Sequence, residues 1–307
     1  MKKLALSILF VLVGVFVVDR LGGMAMWWVN QHTHDVSGPK IKHLVYDADE
    51  DVILMGTSRC NSHYVPSIIS DTIGMSVFNG GIDASNNIYA HYIMLNHILD
   101  RHTPKVICLE VQVQDFTEQI SKSNSLNSFN SISFFAPYFG MNAHADSVFR
   151  LAGDYWKYKV SHLYRYNSKA VSNIAGIVIN RHDGGDNGYI PNPQPNYHPK
   201  VLTNSKPKSN IDEMKIGYIK RFVNICRKHN IKLIFTVSPL YERVDVDHYD
   251  ILKSLAKQYG IPFLDYHTSG LFWNHPEYFR DTYHLWDKGA RKYSSLFASD
   301  LKNILKQ

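Results

Sequence analysis

The first feature of the chain is its distribution of apolar positions. Lys2 and Lys3 precede an apolar run at 4–18; Asp19 and Arg20 interrupt it, and a second apolar stretch at 21–29 carries Trp27-Trp28 near its end. The 15 residues of the first run rise only about 22 Å as a helix, short of a ~30 Å hydrocarbon core. Counted on through Trp28 the segment is long enough to span. Asp19 and Arg20 then fall toward the far interface, with the tryptophans at headgroup level. A cleaved signal peptide is the competing reading, with small residues at Gly23-Met24-Ala25 and cleavage after Ala25, although the charged pair just upstream makes a poor cleavage region. Either way, the basic end stays inside and the remainder is exported. The expected division is 1–29 as anchor or signal peptide, 30–49 as linker, and 50–307 as one globular domain.

From Asp51 onward, apolar strand-like runs alternate with helical spacings. Val52–Met55 reads as a buried strand ending in Gly56-Thr57-Ser58-Arg59, and 75–78 as a second, ending in Asn79-Gly80-Gly81. A helix over 86–99 with Ser85 as its cap follows, then a third strand at 105–111, apolar on both faces. Ile211, Met214, Tyr218, Phe222 and Ile225 recur at helical spacing, with Asn210 and Glu213 as a capping box. A fourth strand at 233–237, a helix at 246–259, a fifth strand at 262–266 and a last helix at 287–305 complete the pattern. The final helix carries Tyr293, Phe297, Leu301 and Ile304 on one face. Strands alternating with helices predict a parallel sheet covered on both sides, with reactive residues at the C-terminal strand ends.

The stretch 115–209 breaks this rhythm. It is rich in Asn, Ser, Tyr and Phe, as in 123–131 and 133–139, and at about 95 residues is too long for a connection. It is expected to be an insertion with helix at 145–166, packed over the strand ends as a cap. Its aromatics, among them Tyr138, Phe139, Tyr155, Trp156 and Tyr189, suit either its own core or flat contacts to sugar rings.

Composition narrows the classes. With 45% hydrophobic and 20% charged residues the chain is globular, and a net charge of +6 without basic clusters gives no nucleic-acid groove. Three widely spaced cysteines make neither a disulfide framework nor a zinc motif; Cys108 and Cys226 are expected to be buried. No spacing calls for a metal or cofactor, the pair His32 and His34 lacking further ligands.

Ser58 stands where a buried strand gives way to a helix, which exposes its hydroxyl among unpaired backbone N–H groups. Asp281 and His284, three residues apart before the last helix, can share one turn, the carboxylate orienting the imidazole. Taken singly, a Gly-x-Ser turn and an Asp-x-x-His are commonplace. In this order on this alternation, Gly56-Thr57-Ser58, Asn79-Gly80-Gly81 and Asp281-Thr-Tyr-His284 resemble the first, second and fifth blocks of the SGNH (GDSL-like) hydrolases. The resemblance covers 50–110 and 210–305. It implies a flavodoxin-like three-layer sandwich, with Ser58 as nucleophile, His284 as base and Asp281 as its orienter. It further implies oxyanion donors from the Ser58 and Gly81 N–H groups, with Gly80 as the fallback.

The family's third block, a Gly-x-Asn-Asp after strand three, is absent; Leu109-Glu-Val-Gln-Val-Gln-Asp-Phe116 stands there. Gln112 or Gln114 is the candidate substitute donor, the alternative being ordinary strand-end polar residues. Arg59, Tyr283 and Trp286 are weaker candidates for lining the site. This departure, with an N-terminal anchor, is similar to a membrane-anchored subgroup containing the D-alanyl-transfer protein DltD and the alginate O-acetylation proteins. In that subgroup a membrane-bound O-acyltransferase hands acyl groups to the SGNH partner for a polysaccharide. The expectation is acyl transfer or ester hydrolysis on a cell-surface glycan. A non-catalytic glycan-binding or scaffold role is the alternative.

Overall fold

In the computed structural model the described residues are all except 36, 86, 119–131, 180–184, 196–209, 243–248 and 307. Five parallel strands, β1 (Val52–Met55), β2 (Val77–Asn79), β3 (Val106–Glu110), β4 (Lys232–Val237) and β5 (Phe263–Asp265), stand in the order β2-β1-β3-β4-β5. Register is direct, Val52 facing both Val77 and Val106, and Cys108 facing Ile234. Because successive strand residues point to opposite faces, the apolar runs feed two cores. Ile53, Met55, Ile107, Leu109 and Phe235 belong to one; Val52, Leu54, Val106, Cys108 and Ile234 belong to the other. The chain thus forms the expected three-layer α/β sandwich around a central parallel sheet.

The helices are α1 (Lys2–His32), α2 (Gly38–Lys42), α3 (Ser58–His63), α4 (Pro66–Ile73) and α5 (Ile88–Leu99). After β3 come α6 (Ala143–Phe149), α7 (Tyr155–Val160), α8 (Ala170–Val178), α9 (Glu213–Lys228), α10 (Asp250–Tyr259) and α11 (Asp287–Leu305). On one face, α5 and α9 cover the sheet with Ile93, Leu95, Ile219 and Phe222. On the other, α11 presses Tyr293, Phe297 and Leu301 against α4.

Several local expectations are corrected. Asn87, not Ser85, caps α5: its Oδ1 accepts the Ala90 N–H at 3.1 Å, whereas the Ser85 hydroxyl donates to the Ile82 carbonyl at 2.7 Å. Asp212, not Asn210, caps α9, accepting from the Met214 and Lys215 N–H groups at 3.0 and 3.1 Å, while Asn210 reaches Glu118 at 3.1 Å. Ile211 lies outside that helix and Met214 is exposed; the buried face is Ile216, Tyr218, Ile219, Phe222, Val223 and Cys226. The helix expected over 145–166 is broken into α6, α7 and a 3-10 turn at Leu163–Tyr166. Gly153 disfavours continuity, and the Ser161 hydroxyl starts the final turn by accepting the Tyr164 N–H at 3.0 Å. Residues 246–248 and the Asn/Ser-rich 123–131 lie outside the described residues.

Within 30–49, read from the sequence as a linker, α2 and the turn after it pack on the core. After α2 a wider turn, His43–Asp47, closes with the Ala48 N–H on the His43 carbonyl at 2.8 Å, and Ile41, Leu44 and Val45 are core residues. The described inserted residues 133–178 pack on α1 and on the far end of α5, where Asn142 bonds Asn96 and Asp100. They do not cover the strand end that carries Ser58. Among the insertion's described residues, 185–192 passes there, where the Asn79 N–H donates to Asn187 and the Ile190 N–H to Asn61. Among the described residues α1 is the helix long and apolar enough to cross a membrane.

Candidate active site

β1 delivers Ser58 as the first residue of α3, so its N–H lies outside the helical ladder and its hydroxyl faces the open strand end. The His284 loop reaches the same rim. The Ser58 hydroxyl lies 2.9 Å from His284 Nε2, and His284 Nδ1 lies 3.0 Å from both Asp281 carboxylate oxygens. A carboxylate only accepts, so Nδ1 carries the proton and Nε2 accepts from Ser58. Asp281 Oδ1 also accepts the N–H groups of Tyr283 and His284 at 2.8 and 2.9 Å. Burial opposes ionisation of Asp281, but the imidazole and these two N–H groups outweigh it and hold its pKa below the ordinary range.

Behind His284 runs a buried polar chain. His63 Nε2 accepts the Leu285 N–H at 3.0 Å, and its Nδ1 therefore donates to the Ser238 hydroxyl at 2.9 Å. Ser238 in turn gives its hydroxyl to Glu110 at 2.8 Å. Glu110 also takes the Tyr64 hydroxyl and stands 3.1 Å from the Arg59 guanidinium. Burial pushes the His63 pKa well down, with the neighbouring His284 and Arg59 adding to it, so this ring stays neutral. Burial raises the Glu110 pKa, whereas Arg59 and the hydroxyl donors favour its ionised form. From the outer side, Asn192 of the insertion donates to the Leu285 carbonyl at 2.9 Å and accepts from Arg280 at 2.6 Å. The His284 loop is thus gripped from both sides.

The expected oxyanion donors fare differently. The Gly81 N–H is bonded to Asn79 Oδ1 at 3.0 Å and the Gly80 N–H to the Leu54 carbonyl at 2.9 Å, so neither is free for a substrate. Gly81 is needed for space: a Cβ there would overlap the Asn61 backbone nitrogen. Lys40, from α2, plugs this loop from below, donating to the Gly81 carbonyl at 2.7 Å and to Asn61 Oδ1. Of the two glutamines, Gln114 is exposed, whereas Gln112 donates from Nε2 to the Thr57 hydroxyl at 2.7 Å, one residue before Ser58. A reciprocal capping box with Asp115 fixes its side chain. An amide nitrogen has two hydrogens, and one remains.

Arg59 does not line the site. Although adjacent to Ser58 it turns inward, buried against Glu110 and donating to the Val111 carbonyl at 3.2 Å. Tyr283 is half-buried beside His284, and the Trp286 indole donates to the Glu277 carbonyl at 2.8 Å. Of the inserted aromatics, Tyr138, Phe139 and Tyr189 are core, and Trp156 is exposed. His63, Ser238, Glu110, Lys40 and Asn192 escaped the reading of the sequence. The available signal was Glu110 itself, an acid ending an otherwise apolar strand, which must have buried partners.

Comparison with protein-family models gives no match, and neither does comparison with curated proteins. Among solved structures the chain is similar to an acetyl xylan esterase, at 14% identity over 82% of this chain and 98% of that one, with a TM-score of 0.41. It is similar also to a protein described as a lipolytic member of the G-D-S-L family from Desulfitobacterium hafniense DCB-2, at 11% identity over 81% and 98%, TM-score 0.42. A third is a GDSL-like lipase from Bacteroides thetaiotaomicron VPI-5482, at 12% identity over 81% and 88%, TM-score 0.36. These overlaps are partial, and function has to be read from the chain's own side chains.

Proposed function

We propose that the protein is a membrane-anchored serine acyl-transfer enzyme of SGNH type acting outside the cytoplasm on a cell-surface glycan. The observation that carries this is the continuous line of hydrogen bonds from the Ser58 hydroxyl through His284 to Asp281. Ser58 Oγ attacks the acyl carbonyl while His284 Nε2 takes its proton; Asp281 holds the tautomer and stabilises the imidazolium. The Ser58 N–H and the free Gln112 amide hydrogen receive the developing oxyanion. Collapse expels the leaving alkoxide, protonated by His284, and leaves an acyl-Ser58. A sugar hydroxyl or water, deprotonated by the same imidazole, then takes the acyl group. Transfer to a glycan from an acyl donor supplied by a membrane-bound O-acyltransferase and plain ester hydrolysis share the first half-reaction. Anchoring favours the former.

A fluorophosphonate probe applied to the detergent-solubilised full chain tests this. Labelling that is lost in Ser58→Ala is expected. A wild type that stays unlabelled sinks the enzyme reading in favour of a glycan-binding scaffold, which the bonded N–H groups of Gly80 and Gly81 favour. Hydrolysis of a simple acetyl ester with and without an oligosaccharide acceptor separates esterase from transferase.

A further inference from the structure

The following rests on the anchor reading of α1. Lys2 and Lys3 mark the inner end of the span. Counted from Leu4, a ~30 Å hydrocarbon core at about 1.5 Å per residue ends near Gly23. Asp19 and Arg20 then lie in the outermost turn or so of the core, where unpartnered charge is expensive. Both are partnered. Asp19 accepts from the Ser161 hydroxyl and from the N–H groups of His162 and Leu163 at 2.9 and 3.3 Å. Arg20 bonds Asp19 at 2.8 Å and the Val160 carbonyl at 3.1 Å. These bonds fix residues 160–163 at the depth of Asp19. Small residues allow the approach: a Cβ on Gly23 would lie 2.5 Å from the His162 Cβ.

The helix leading into this segment and the segment itself turn apolar side chains outward. Trp156 is 66% exposed, Val160 64% and Leu163 41%. Lys159 lies beside this surface, its ammonium 5.2 Å from the Trp156 ring centroid, a pairing of indole and snorkelling cation that suits a membrane boundary. The rest of the insertion agrees in direction. Tyr138, which bonds Asn30 of α1, packs on His97 near the end of α5 remote from Ser58.

We propose that residues 155–163 form a second membrane contact, dipping into the outer lipid boundary beside α1 and shielding the Asp19–Arg20 pair from acyl chains. The occupant of this surface is the bilayer itself.

The test places single nitroxides on the full chain reconstituted in vesicles of phosphatidylethanolamine and phosphatidylglycerol. The native Cys60, Cys108 and Cys226 are buried and leave an added cysteine as the labelled site. Val13→Cys reports the anchor, Trp156→Cys and Val160→Cys report the tip, and Lys302→Cys on α11 gives the aqueous reference. Relaxation by oxygen, which partitions into lipid, is compared with relaxation by a water-soluble nickel chelate. The expected result is an oxygen-to-nickel ratio shifted toward lipid at 13, 156 and 160 relative to 302. A lipid-like ratio at 13 with water-like ratios at 156 and 160 overturns the proposal and leaves the anchor standing. A water-like ratio at 13 overturns the anchor reading, and the proposal with it. Probes at 156 and 160 shielded from both relaxants indicate a protein neighbour and overturn the proposal.

Discussion

His63→Leu should weaken the fold at neutral pH, by an amount that shrinks on acidification. At neutral pH the substitution leaves the buried Leu285 N–H, bonded to His63 at 3.0 Å, without an acceptor. An orphaned buried donor costs about 1–3 kcal/mol. Against this stands a titration. Burial depresses the His63 pKa, so the unfolded chain takes up a proton below about pH 6.5 that the folded chain refuses. Wild-type stability from this group is therefore complete above about pH 6.5. It is lost on acidification at up to ~1.4 kcal/mol per pH unit until the folded pKa is reached. The leucine variant, with nothing to titrate there, would be spared this loss. His97, pushed down to about 4 mainly by burial, and His43, raised mainly by its bond to Glu50, are the same in both proteins and cancel in the difference. Urea unfolding of the full chain in detergent, followed by tryptophan fluorescence, measures the gap at the two ends. A gap of about 1–3 kcal/mol at pH 7.5 that narrows toward pH 5 is expected. A gap independent of pH, or a variant as stable as the wild type at pH 7.5, refutes the tautomer and the bond assigned to His63.

Three further outcomes follow from the same geometry. Asp281→Asn keeps the loop but not the charge that sets the imidazole tautomer, and should lower turnover by on the order of 10³–10⁴ with little change in melting temperature; steady-state ester hydrolysis and a thermal melt check both halves. Gln112→Ala removes the amide hydrogen proposed for the oxyanion and should lower kcat roughly 10²-fold with KM little changed, whereas Gln114→Ala should leave both alone. Gly23→Val drives a side chain into His162 and should separate α1 from the turn at 161–163; faster proteolysis within 155–166 in vesicles is the readout.

The meeting of Ser58 with His284, 2.9 Å apart, was legible because each is announced locally, Ser58 by a buried strand meeting a helix and His284 by a carboxylate one turn before it. Their supports were not. His63 and Ser238 are 175 residues apart in the chain, and the bond joining them depends on how β4 lies beside β3. Arg59 follows Ser58 directly, yet a helix rotates successive side chains by about 100°, so one faces the rim and the other Glu110. The motif Asn79-Gly80-Gly81 suggested a free donor at Gly81, with Gly80 as the fallback. Only the fold shows that the Asn79 amide and the Leu54 carbonyl occupy them. The caps at Asn87 and Asp212 were missed by two residues each, since several neighbouring polar side chains satisfy the same pattern.

The lysine at position 40 sets a limit on where the chain can be cut. A shortened protein beginning at residue 50 would look tidy on a hydropathy plot. It would nevertheless discard the ammonium that seats the Gly81 carbonyl and Asn61, and uncover the bed of Ile41, Leu44 and Val45. Anyone expressing this domain without α1 for crystallography or assay should keep the chain from Ser37 onward, or inactivity in the trimmed form will say nothing about the proposed activity.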